Sequence, residues 1–140
     1  MELVIAIAII VALASVVILS ISGLRNDRDL DSDAKIAAAF LRDAQQRAIT
    51  GEDDKEWGVY FTNTDNDFYE LFKSVSSTSR EVVARRNFKP TVELSSGSVE
   101  IKFKRISGKP VIGISFEIRL KSDNSKTKLI QVTDNGAIKY

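Results

Sequence analysis

Cysteine and histidine are both missing from this 140-residue chain. Without them there are no disulfides, no thiol nucleophile, no Cys/His zinc site and no imidazole proton transfer. The lack of cysteine does not assign a reducing compartment, because an exported domain with a sufficient core needs no disulfide. Proline (2) and glycine (7) are too few for a low-complexity or fibrous segment. No internal repeat stands out. What remains is 44% hydrophobic and 28% charged, the composition of one folded domain.

The catalytic options left by these absences are Ser–Lys dyads and paired carboxylates. Ser107 with Lys109, and Ser125 with Lys126, sit in turn-like stretches with no supporting motif. The chain therefore reads as a non-enzyme without a cofactor.

The net charge of +1 hides an asymmetry. Residues 1–79 carry 7 basic and 13 acidic side chains, and residues 80–140 carry 13 basic and 6 acidic. Such a split fits head-to-tail electrostatics between copies, or a basic face toward an anionic partner.

The longest apolar run opens the chain. Leu3 to Leu24 is 22 residues, about 33 Å as a helix, close to the roughly 30 Å hydrocarbon core of a bilayer. Leu3, Ile7, Ile10, Leu13, Val17 and Leu24 represent a surface that is apolar all round, which predicts a membrane helix over 1–24. A cleaved signal is the competing reading, with Ser20 and Ser22 before the cut, but no basic n-region is present and the run exceeds the usual length. One carboxylate, Glu2, heads the run.

A polar stretch follows, with Asp27, Asp29, Asp31 and Asp33 in alternation. Asp27/Asp31 and Asp29/Asp33 are like-charged i,i+4 pairs on a helix, which predicts a softened joint. Leu30, Ala34, Ala37, Leu41, Ala44 and Ala48 then recur at spacings of four and three, the stripe of an amphipathic helix over about 30–50 that stops at Gly51. Its small side chains suit close approach to a sheet.

From Trp57 the period becomes two. "EWGVYF", "FYELFK", "REVVARRNF", "SVEIKFKRI" and "VIGISFEIRLK" read as strands, the last with Ile112, Ile114, Phe116, Ile118 and Leu120 inward. "SGK" at 107–109 is expected to join the last two as a hairpin. "TKLIQV", "DNG" and "AIKY" form another. Clean alternation predicts an antiparallel sheet of six to eight strands with one wet face. The fold class is α+β: residues 1–24 a transmembrane helix, 25–51 an amphipathic helix, 52–140 an antiparallel β domain.

Three further features carry a functional reading beside a plainer one. "NTDNDFYE" spaces Asn63, Asp65 and Asp67 two apart with Glu70 beyond, as calcium loops do, but the turn glycine is missing and Ser74 stands where the closing carboxylate belongs. A polar hairpin turn accounts for it. Arg85, Arg86, Lys89, Lys102 and Lys104 are candidate phosphate contacts for nucleic acid; the plainer reading is a soluble sheet face, and no aromatics interleave with them. Trp57 reads as core.

"ELVIAIAIIVALASVVI" resembles the N-terminal helix of type IV pilins and of the pseudopilins of type II secretion systems: a Glu followed by a long Leu/Val/Ile/Ala run. "FLRDAQQRAITG" resembles the helix end of H-type minor pseudopilins and related minor pilins, and "KTKLIQVTDNGAIKY" their closing hairpin. The resemblance is specific over about the first 25 residues and general beyond. It implies a single-pass subunit of the cytoplasmic membrane with an extracytoplasmic domain. That subunit joins a filament with other pilins or pseudopilins, served by an inner-membrane assembly machinery and a prepilin peptidase. Methylation of the processed N-terminus, protein transport and adhesion belong to the same implied set. Glu2 is then the assembly residue, pairing with a neighbour's N-terminal amine and so setting axial register. The family's basic leader and its Gly are not in the printed sequence, where Met1 stands directly before Glu2. Its helix proline is replaced by Leu19, and its C-terminal disulfide has no cysteines. Two other readings stay open: a DNA-binding minor pilin, and a membrane-anchored binding domain that does not polymerise.

Overall fold

In the computed structural model, which describes residues 2–64, 67–76 and 79–140, a single helix α1 (Glu2–Thr50) runs unbroken for 49 residues. Its length is about 73 Å. Of residues 2, 12 and 14–22 only the backbone is described. The softened joint expected over 23–33 is not a break. The Asp27–Asp33 carboxylates sit against basic groups of the folded domain, which offsets the repulsion that weakens this stretch on an isolated helix.

The second half of α1 packs as its spacing predicts. Leu30, Ala34, Ala37, Leu41, Ala44 and Ala48 are all buried. The helix stops where Gly51 takes φ 68°, in the left-handed region open to glycine. Gly51 N–H donates to the Ala48 carbonyl at 3.2 Å, and the Ile106 N–H reaches the same carbonyl at 2.8 Å. A one-turn 3-10 segment, Glu52–Asp54, leads into the sheets.

Eight strands follow among the described residues: β1 (Trp57–Thr62), β2 (Phe68–Ser74), β3 (Arg80–Asn87), β4 (Val92–Leu94), β5 (Val99–Phe103), β6 (Ile114–Leu120), β7 (Asp123–Val132) and β8 (Ile138–Lys139). They form two antiparallel sheets rather than one, in the orders β3-β2-β1-β5 and β4-β6-β7-β8. The β7–β8 hairpin expected around "DNG" is present. The hairpin expected at 107–109 is not: β5 pairs with β1, and β6 pairs with β4 and β7. Between β5 and β6 the chain makes a tight loop with Ile106 and Gly108 at positive φ and a single bridge from Phe103 to Pro110. Period-two alternation locates strands but carries no information on which strand lies alongside. Ile112, expected inward, is part of that loop and is 68% exposed.

Phe61 of the first sheet and Phe116 of the second meet at 4.5 Å between ring centroids, joining the two sheets in one core. Tyr69 packs edge-on against Phe40 of α1 (4.8 Å) and against Phe88 (5.0 Å). Trp57 is buried, with its indole N–H donating to the Glu52 carbonyl. The core is thus a layer between the alanine face of α1 and both sheets.

Candidate functional site

The first half of α1 carries the largest uncovered apolar surface. Leu3, Ile7, Ile10, Leu13 and Leu24 are 52% to 72% exposed, as are Val4, Ile5 and Ile9 beside them. Among the described side chains of the helix, Leu30 is the first that is buried. A surface of this kind costs roughly 25 cal/mol for every Å² left in water, and exposed apolar patches mark interaction surfaces. The side chains of Glu2 and Val17 lie outside the described set. Among the described residues no helix is long and apolar enough to cross a membrane, and the expected span over 1–24 falls in large part on side chains not described.

Where α1 leaves the domain, its carboxylates are held from two sides. Successive residues advance by about 100°, so Asp27 and Asp31 share one flank, Asp29 and Asp33 the other, and Leu30 lies midway between. On the first flank Lys126 Nζ contacts Asp27 at 2.7 Å and Lys128 Nζ contacts Asp31 at 3.3 Å, both lysines from β7. On the second, Lys89 Nζ reaches Asp29 at 2.6 Å and the Lys89 N–H donates to Asp33 at 2.8 Å. Lys89 belongs to the segment joining β3 to β4, so each sheet's surroundings contribute one jaw. The hydrogen bond from Lys89 holds the Asp29 carboxyl below the usual range, and that from Lys35, reinforced by Lys128, does the same for Asp31. Asp33 is nearly inaccessible, and burial raises its value. The acidic half of the charge asymmetry is therefore met largely within the chain.

The basic candidates do not converge. Arg85 and Arg86 lie on β3 and Lys102 on β5, the two opposite edges of the first sheet. Lys89 is engaged with Asp29, and Lys104 follows β5 on an exposed loop. Arg85 stacks 4.0 Å over the Phe68 ring and donates two hydrogen bonds to the buried Glu70. Lys102 pairs with Glu100 at 2.9 Å. Arg80, not singled out by sequence, ties this face together: it lies 4.0 Å over Tyr60 and bonds Glu100 at 3.1 Å. The outer face of the first sheet is a set of closed charge pairs. Arg86 has no ion-pair partner among the described residues.

The candidate calcium donors are likewise occupied. Asp67 accepts the N–H groups of Thr64 and Leu94, Asn63 donates to the Leu94 and Ser96 carbonyls, and Asp65 lies outside the described residues. Ser107 and Ser125 also serve turns, the first accepting from Lys109 N–H and the second donating to Asp123 at 2.6 Å.

Sequence reasoning missed Gln45. Its amide donates to the carbonyls of Gly108 (2.9 Å) and Gly136 (2.8 Å), fastening the β5–β6 loop and the β7–β8 turn to the helix. A lone glutamine at the margin of an alanine stripe carries no signal of this.

No family model matches the chain, and no curated protein matches it in sequence. Solved structures do resemble it. The minor pseudopilin EpsH from the type 2 secretion system of Vibrio cholerae superposes with a TM-score of 0.62 at 12% identity, over 79% of this chain and 94% of EpsH. A second EpsH structure gives 0.63 at 10%, over 81% and 95%. The type IV minor pilin FimU of Pseudomonas aeruginosa gives 0.62 at 15%, over 80% and 87%. At these identities the likeness is one of fold: a long helix on antiparallel sheets in the manner of type IV pilins and pseudopilins.

Proposed function

From a pilin-like fold whose described apolar side chains ahead of Leu30 are uncovered, we propose that this chain is a structural subunit of an extracytoplasmic filament of the type IV pilus or type II secretion pseudopilus kind. The observation that carries the reading is the exposure of Leu3, Ile7, Ile10 and Leu13 on a helix continuous with that fold. Before assembly the segment lies in the cytoplasmic membrane as a single span, with the domain outside. In the filament the same surface is buried among the helices of neighbouring subunits, and the sheets face outward. Partners are other pilins or pseudopilins, the inner-membrane assembly machinery and a leader peptidase. Fold likeness to EpsH and FimU supports this reading.

Glu2 sets register in this scheme. A carboxylate without a partner is costly inside the hydrocarbon, on the order of 3 kcal/mol at the bilayer centre, and a neighbour's N-terminal amine offsets that cost only in the correct axial position. Glu2→Ala is expected to lower recovery of the subunit in sheared filaments about 10-fold, while Glu2→Asp retains part of it. Quantitative immunoblotting of sheared and membrane fractions provides the measurement. Wild-type incorporation of the alanine variant rejects the register role, and absence of the wild-type protein from filaments rejects the filament reading itself.

A further inference from the structure

The stretch of α1 from Arg25 to Asp33 is the least able to be helical on its own. It carries four aspartates, arranged as two like-charged i,i+4 pairs, and no apolar side chain between Leu24 and Leu30. It is nevertheless continuous helix. The compensation comes from the domain: Lys126 and Lys128 on one flank, Lys89 and its N–H on the other, with Thr91 Oγ1 at 3.5 Å from Asp29. Within the helix only Lys35 contributes an ion pair, to Asp31 at 2.7 Å. Arg25 and Arg28 lie on the same segment and are exposed, while Arg86 and Asp123 are the remaining charges near these groups.

We propose that these contacts form a two-sided ionic collar that locks a latent hinge, so that α1 stays rigid from its apolar half into the domain only while Lys89, Lys126 and Lys128 are seated on Asp27–Asp33. The collar joins both sheets to one turn-and-a-half of helix and straddles Leu30, the first buried residue among the described ones, so that Asp27 and Asp29 are gripped beyond it. Loss of the lysine charges leaves the acids repelling one another on a helix that Leu30 alone anchors in this stretch. The hinge then opens locally, and the apolar half reorients against the domain. Such a joint lets one subunit meet two geometries, one in a bilayer and one in a helix bundle. That consequence rests on the filament reading, whereas the collar itself does not.

Hydrogen exchange read by mass spectrometry on the full chain in detergent micelles tests the lock. Lys89→Gln/Lys126→Gln/Lys128→Gln is expected to reduce protection of amides 26–33 at least 10-fold, with amides of β1 and β2 unchanged. Adding Asp27→Asn and Asp31→Asn to the triple variant removes the repulsion on that flank, leaving Asp29/Asp33, and is expected to restore about half of that protection on a logarithmic scale. Lys126→Gln/Lys128→Gln alone, at exposed strand positions, is the variant to read should the triple one unfold, with about half the effect on a logarithmic scale. Unchanged protection of 26–33 overturns the proposal. So does equal loss across 26–33 and the core strands, or failure of the asparagine substitutions to rescue. None of these readouts involves filaments, so they separate the collar from the assembly role.

Discussion

Gly58 shows how one residue position is dictated by its neighbours. A Cβ there would lie 2.5 Å from the Ile101 carbonyl oxygen and 2.7 Å from Cζ of Phe72, whose ring is fully buried over the glycine. Gly58→Ala is expected to cost about 2–3 kcal/mol by overpacking, read from urea denaturation. Gln45→Ala leaves two loop carbonyls short of a donor and is expected to cost about 2 kcal/mol in the same measurement, while Gln45→Glu, which donates nothing when ionised, fares no better. Tyr69 poses a different case. Its hydroxyl is buried without a hydrogen-bond partner among the described residues, and burial pushes its ionisation well above the ordinary tyrosine range. The folded chain therefore holds that proton longer than the unfolded one, so stability falls as pH rises above about 10. Tyr69→Phe removes that contribution to the decline, visible as a flatter melting temperature between pH 9 and 11.

At the scale of elements, α1 and the strands were legible to different depths. The alanine stripe was readable because helical periodicity and small side chains together specify a close-packed face, and every member is buried. Ala44→Leu is accordingly expected to destabilise by about 1–3 kcal/mol despite leucine's good helix propensity, because no space exists between α1 and the sheets. Strand partners were not legible. Nothing in "SGK" distinguishes a hairpin from a loop that hands the chain to another sheet, and the decision came from Phe61 and Phe116 meeting across the two sheets. The acids of the collar divide by environment, and so does their pH dependence. Asp29 and Asp31 have lowered values, so their stabilisation is full above the ordinary carboxylate range and fades as pH falls through the folded values. Asp33 has a raised value, so ionisation costs stability as pH rises through it. Asp33→Asn is expected to raise the melting temperature at pH 7, with the gain vanishing below about pH 4.

For the molecule as a whole, the apolar half of α1 and the domain are separable in energy. Core contacts begin at Leu30, and the described apolar side chains before it face outward. A chain starting at Arg25 is expected to stay soluble and to melt cooperatively, with near-wild-type midpoint by circular dichroism; loss of the cooperative transition would place the helix's first half in the fold's own stability. Charge asymmetry fits, from sequence, either an attraction between copies or a basic face toward an anionic partner. Much of it is consumed within one copy, because the helix carries its acids past the very segments that hold Lys89, Lys126 and Lys128. The basic candidates Arg85, Arg86 and Lys102, adjacent in a census of charge, are separated by two intervening strands.

Sequence by itself determined the local periods: a long apolar helix headed by Glu2, an alanine face over 30–50, strands in alternation, and the absence of cysteine and histidine chemistry. These are properties of neighbours along the chain, and covalent geometry alone converts them into structure. Tertiary structure decided what lies beside what. It split the strands into two sheets, turned Asp27–Asp33 from a weak joint into a gripped one, and gave Gln45 its two carbonyls. The grip and the Gln45 bridges depend on groups 56 or more positions apart, and the sheet division on pairings such as Trp57 with Phe103; their proximity is a result of packing and is not encoded in any short stretch.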